Sequence, residues 1–154
     1  MKKEEKTILG SIKIKQDEHF LKSNRKFYHC NTPHQNDCWN VALSLATEKN
    51  YEDVRKGFKG KISRDGGLRG FYSHKSIQDA GYVSKERGGF KTVQGLARGT
   101  KGSGKEYIVS TSGHLLYVRN GIIFDTHASH LRRIVVYYER EIRNPVFLKG
   151  FSYE

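Results

Sequence analysis

"GHLLYVRNGIIFDTH", residues 113–127, holds the strongest local folding signal in the chain. An Asn-Gly pair between two apolar runs favours a two-residue hairpin loop, because both residues tolerate the positive φ that the twist of the flanking strands demands. With Asn120 and Gly121 as that loop, Arg119 faces Ile122, Leu116 faces Asp125, and His114 lies opposite His127. Residues two apart on a strand share a face, so His114 and Asp125 become diagonal neighbours, with backbones roughly 7–8 Å apart and side chains able to meet. The register alone sets an acid beside an imidazole.

Around this hairpin the second half of the chain reads as strands. "KEYIVST", "RIVVYYER" and "PVFLKG" are rich in β-branched and aromatic residues. The first half reads mainly as helices. Asp37 or Asn36 caps a helix that starts at Cys38, with Cys38, Val41, Ala42, Leu45 and Ala46 at the spacing of one apolar face. Asn50 caps "YEDVRKGF", with Glu52 and Asp53 in the first turn, where the helix dipole favours carboxylates. Ser73 opens "HKSIQDA", which stops at Gly81, and Thr92 opens "VQGLAR", which stops at Gly99. Before all of these, "TILGSIKIK" alternates through Ile8, Ile12 and Ile14 as a strand or hairpin arm, and "KFYHC" is a further extended piece. Helices first and an antiparallel sheet after is an α+β order. One domain over residues 1–154 is expected, with 1–30 as an N-terminal extension or strand arm.

The bulk properties narrow the classes. Two cysteines are too few for a disulfide framework, no apolar run reaches membrane-spanning length, and the N-terminus lacks a signal-peptide core, so a soluble cytoplasmic protein is expected. The balance of 28 Lys+Arg against 16 Asp+Glu leaves +12. That charge is spread along the chain, which suits solvated surface and an acidic protein or peptide partner better than a nucleic-acid groove. Nucleic acid therefore ranks behind, and no membrane partner is expected.

Cys38 gives the chain its chemistry. A thiol at a helix N-terminus gains thiolate character from the dipole and from a nearby imidazolium. His114 would take the thiol proton and return it to a leaving group, while Asp125 would hold the ring and its tautomer. An oxyanion hole would come from the backbone N–H of Cys38 with a side-chain amide from Gln35 or Asn36. Gly113 would keep bulk away from the site, and Trp39 would wall it. His127 is the alternative third member, being directly opposite His114. The plainer reading makes Cys38 a small core residue on an apolar helix face. Zinc is a rival, since "HCNTPHQNDC" offers His29, Cys30, His34 and Cys38, but paired short Cys-x-x-Cys spacings are lacking. No metal or cofactor is expected at the site.

Two stretches, "DCWNVALSLATEKNYEDV" and "GKEYIVSTSGHLLYVRNGIIFDT", resemble a family of small phage-encoded proteins with a papain-like cysteine-protease fold. Members carry an Asp-Cys helix start, a "GTYIVSTSGH" strand and a return strand ending in Asp-Thr, and the likeness runs from about Asn36 to Thr126. Cys38-Trp39 also repeats a dipeptide common at papain-type nucleophiles, whereas the position of the usual glutamine is Thr32. The resemblance implies a papain-like α+β fold, a Cys38-bearing helix packed on a C-terminal antiparallel sheet. It implies Cys38 as nucleophile, His114 as base and Asp125 as orienting residue, in a cysteine peptidase- or amidase-like hydrolase or acyltransferase working on an amide or isopeptide bond in the host cytoplasm. The alternatives are a catalytically inactive basic module that binds an acidic host protein and, third, a cell-wall amidase or endopeptidase.

Overall fold

The computed structural model describes residues 5–16, 26–34, 37–57, 70–85, 89–127 and 130–142. Strands β1 (Glu5–Ile8), β2 (Ile12–Gln16) and β3 (Lys26–Asn31) precede helices α1 (Cys38–Thr47), α2 (Tyr51–Gly57) and α3 (Gly70–Asp79). After them come β4 (Val83–Lys85), α4 (Val93–Gly99), β5 (Lys105–Thr111), β6 (His114–Arg119), β7 (Ile122–Asp125) and β8 (Val136–Glu141). The strands form one eight-stranded sheet in the order β1-β2-β3-β7-β6-β5-β8-β4.

This architecture corrects the expected papain-like α+β fold, a helix on a C-terminal antiparallel sheet. The molecule is a mixed α/β fold dominated by its strands, and its sheet draws on both ends of the chain. The decisive difference is β3, which pairs in parallel with β7, Tyr28 opposite Phe124 and His29 opposite Asp125. Without β3, β7 would leave a row of unpaired N–H and C=O groups at an edge in the middle of an apolar segment. The β1–β2–β3 meander covers that edge, burying Ile12, Ile14, Phe27 and Tyr28 almost completely. "PVFLKG" lies outside the described residues.

Alternation along the strands gives two buried faces. On one, Ile14, Tyr28, Ile108, Leu115, Tyr117 and Phe124 pack with Val41, Ala42 and Leu45 of α1, Tyr51 of α2 and Ile77 of α3. On the other, Phe27, Val109, Leu116, Val118 and Ile123 pack with Val93, Leu96 and Ala97 of α4. Helices therefore cover both faces. Because α1 is enclosed nearly all round, Asn40 and Ser44 are buried along with its apolar residues. The Tyr82 hydroxyl locks the far end of α1 to the sheet, lying 3.0 Å from Ala46 O and bonded to the buried carboxylate of Glu106 on β5.

Local caps follow the side-chain chemistry. Glu52 N–H donates to Asn50 Oδ1 at 3.0 Å, and Gly95 N–H donates to Thr92 Oγ1 at 3.0 Å. The helix read from Ser73 starts earlier, at Gly70. The hairpin between β6 and β7 has Asn120 at φ 49° and Gly121 at φ 79°, with Arg119 opposite Ile122 and Tyr117 opposite Phe124. A Cβ on Gly121 would also stand 3.2 Å from Lys101 Cβ. Gly121→Ala is therefore expected to lower unfolding free energy by about 1–2 kcal/mol in urea titrations. A loss under a few tenths would show that this turn does not hold the register.

Candidate functional site

Three strand ends meet at one rim of the sheet. β7 finishes at Asp125, β6 begins at His114, and β3, running parallel to β7, carries the chain past Asp125 to Asn31. From there a short segment turns back into α1, whose first residue is Cys38. The parallel pair thus delivers a helix N-terminus to the end of the sheet that holds the imidazole and the acid, the place where open α/β sheets form their sites.

His114 Nε2 lies 2.6 Å from Asp125 Oδ1, and the two side chains are 4 % and 0 % exposed. The same Oδ1 accepts the Thr126 N–H at 2.7 Å, which fixes the carboxylate. With Nε2 committed to Asp125, Nδ1 is the ring nitrogen left for a further partner, and the Cys38 side chain is near enough to favour the charged form of the ring. By alternation His114 belongs with Leu116 and Val118 on the α4 face, whereas α1 packs on the opposite face. The contact is made at the rim, where both are the first residues of their elements and no further strand residue separates the faces.

Burial alone would push the His114 ring towards its neutral form. The hydrogen bond to Asp125, then the one to Cys38 and the charges behind both, outweigh it, and the ring is raised to about 9. His127 shifts the other way. Partial burial and the neighbouring charge of His114, whose ring centroid is 4.1 Å away, both favour its neutral form. The two cysteines also differ. Cys30 is sealed in the core, and burial followed by the charge of Asp125 raises its thiol well above the usual range. Cys38 is only partly buried, and its N–H has no acceptor among the described residues. That N–H is available to a developing oxyanion.

The other expected residues fall as follows. Trp39 is partly buried and packs against the core beside Cys38. Gly113 is required by its φ of 69°, while a Cβ there would meet nothing within 4 Å, so crowding is not what selects it. Gln35 and Asn36 lie outside the described residues. The residues of the zinc reading turn apart: Cys30 is buried with its Sγ 3.8 Å from Tyr28 O, and His34 stacks on Tyr51 with its Nε2 3.8 Å from Glu52. Among the described residues, His114, Asp125 and His127 form a group whose ligand atoms lie within 4.8 Å of one another, so these three could hold a metal ion. Of them, His114 Nε2 is already bonded to Asp125.

Two features escape sequence reasoning. Asp37 does not cap α1 with its side chain; its Oδ1 accepts from Asn40 Nδ2, and both residues are buried next to Cys38. Burial raises the Asp37 carboxyl despite that bond. Asp37 Oδ2, Asn40 Oδ1 and Thr111 Oγ1 are buried with no partner among the described residues, and Thr111 stands opposite His114. Unmet acceptors at such a density are uncommon in an ordinary core. A polar pair at i, i+3 flanking a cysteine was the available signal. A cavity of about 650 Å³ lies elsewhere, at the far end of α1, lined by Leu43, Thr47, Asp53 and Arg140 among others. A second cavity, of about 430 Å³, is lined by Asn31, Thr32 and Pro33 where β3 ends, with Thr7, Gly10, Ser11 and Lys13.

The His114 charge has a definite linkage. The unfolded ring titrates near 6.5 and the folded ring near 9, so this charge stabilises the fold in full below about pH 6.5 and the contribution is lost as pH rises to 9. Urea midpoints should fall across that window, and NMR should find the His114 ring titrating near the upper end of it. In Asp125→Asn the ring should titrate lower, because burial is then opposed by the Cys38 interaction alone. A ring that titrates at the ordinary value in both proteins would contradict the geometry.

Compared with family models, with curated proteins and with solved structures, the chain shows no match.

Proposed function

We propose that the protein is a cysteine hydrolase or acyltransferase that opens an amide or isopeptide bond through a thioester on Cys38. The observation that supports this most is the convergence on one rim of a partly buried cysteine, a buried imidazole and a buried carboxylate, with the imidazole hydrogen-bonded to the carboxylate and Cys38 near enough to favour the charged ring. The likeness of the sequence to small phage-encoded proteins favours a host cytoplasm as the setting and a host protein or peptide as the substrate.

In this reading the proton of the Cys38 thiol already rests on His114, and the sulfur attacks the carbonyl carbon. The Cys38 N–H faces the oxyanion that forms. The tetrahedral intermediate collapses with cleavage of the C–N bond, and His114 hands its proton to the leaving amine. Water then attacks the thioester, with His114 again taking a proton, and releases a carboxylic acid; an incoming amine would instead form a new amide. Either route regenerates the thiol. Asp125 keeps Nε2 occupied and the ring in one orientation throughout, and stabilises the imidazolium. A ring raised to about 9 carries the proton at neutral pH and is ready to deliver it to the leaving group.

Iodoacetamide labelling with peptide mapping tests the reactive centre. Cys38 should label near neutral pH at least tenfold faster than Cys30, and His114→Ala should remove most of that advantage. On a peptide substrate, Cys38→Ala should cut turnover by at least about 10³-fold with the fold intact. Equal slow labelling of both cysteines would overturn the proposal. A biological effect that survives Cys38→Ala would mark the chain instead as a basic binding module.

A further inference from the structure

Residues 130–135 run beside the rim and are held from two sides. Gln94 N–H donates to His130 O at 2.8 Å and Val93 N–H to Arg132 O at 3.1 Å, tying the segment to the start of α4. Ile134 N–H donates to Lys91 O at 2.9 Å, and Val135 N–H donates to Ser110 O at 2.8 Å. Ser110 precedes Thr111, which pairs with His114. Two residues separate His127 from His130, three steps of chain that span at most about 11 Å. The segment is therefore fixed close to the reactive groups.

Its surface is unusual for a rigidly held strip. Ile134 is buried, yet Leu131 is 70 % and Val135 55 % exposed. Among the described residues three large hydrophobic side chains are exposed, and these are two of them; Val83 is the other. Lys91, Arg132 and Arg133, all exposed, flank them, and none is ion-paired with a carboxylate among the described residues. The Arg132 charge reaches the site, since it helps disfavour the charged form of His127.

Building on the reading of Cys38 as the nucleophile, we propose that residues 130–135 are the recognition ledge of the site. The ledge selects an acidic stretch of polypeptide that carries an apolar side chain beside the bond under attack. Leu131 and Val135 give that side chain a dry surface, and removing them from water rewards binding. Lys91, Arg132 and Arg133 draw in the flanking carboxylates, helped by the +12 charge of the whole chain. A polypeptide fits better than a nucleic acid, because the exposed apolar groups are aliphatic and give bases no ring to stack on.

Two peptidyl acyloxymethyl ketones test this, each with leucine next to the warhead, one flanked by aspartates and the other by lysines. The readout is the second-order rate of Cys38 labelling by mass spectrometry, with iodoacetamide as the reference for intrinsic thiol reactivity. The acidic probe should react at least tenfold faster than the basic one. Arg132→Glu with Arg133→Glu should erase or reverse the preference. Leu131→Ser with Val135→Ser should slow both probes several-fold, and all four substitutions should leave the iodoacetamide rate within about twofold. Equal rates for the two probes on a Cys38 that reacts rapidly with iodoacetamide would overturn the ledge and spare the nucleophile. Slow iodoacetamide labelling would overturn both. Suppression of peptide labelling by a mixed-sequence oligonucleotide at low salt would overturn the polypeptide assignment in favour of nucleic acid.

Discussion

The parallel pairing of β3 with β7 is the constraint on which the architecture rests. It joins the N-terminal meander to the C-terminal hairpin, with Tyr28 stacked on Phe124 at 5.4 Å between centroids. It also decides where the chain goes next. A strand parallel to β7 must leave the sheet at the end where β7 leaves it, so the segment after Asn31 emerges beside Asp125 and the following helix begins there. Were β3 antiparallel to β7, the same helix would start at the opposite rim, a strand's length from His114. The closeness of Cys38 to the imidazole is a product of topology before it is one of side-chain chemistry.

Electrostatics then sharpens what topology brings together. His114 and Asp125 are both buried, and each would be costly to hold charged alone. Together, with the Thr126 N–H and the Cys38 side chain completing the set, the charged ring is favoured over the neutral one. His127 is the counterweight: burial and the charge of the tilted His114 ring beside it both drive it towards neutrality. The sheet holds a second buried carboxylate, Glu106, which takes tyrosine hydroxyls from Tyr82 and Tyr117 on the face packed against α1. One acid holds the imidazole at the rim and the other binds the helix to the sheet, and their partners differ accordingly.

Much of this was legible because its causes are local. Asn-Gly at 120–121 fixes a turn, the turn fixes a register, and the register puts His114 beside Asp125. Asn50 and Thr92 announce their helices by side chains that cap them. What was hidden depends on partners far along the chain. Nothing near Lys26–Asn31 encodes that its neighbour is Ile122–Asp125, nor that they run in parallel, and this is why an antiparallel C-terminal sheet was expected. The strand Val83–Lys85 is three residues long, with two of them exposed, too short for alternation to register. A one-sided apolar pattern on α1 did not foretell its enclosure on nearly every side, which depends on α2, α3 and the sheet closing around it. The link between Cys38 and His114 was suggested by residue types and by resemblance; periodicity would have set them on opposite faces.

The clasp of Tyr82 on Ala46 and Glu106 lies at the end of α1 away from the sulfur. Cys38 lies about 12 Å along the helix from Ala46, so a tilt of roughly 5° about that clasp swings its tip by roughly 1 Å. Displacements of that order separate a productive attack distance from an unproductive one. On the reading of Cys38 as a nucleophile, the helix is a lever whose fulcrum is a phenol and whose working point is a thiol, with the aim of the sulfur set at the opposite end.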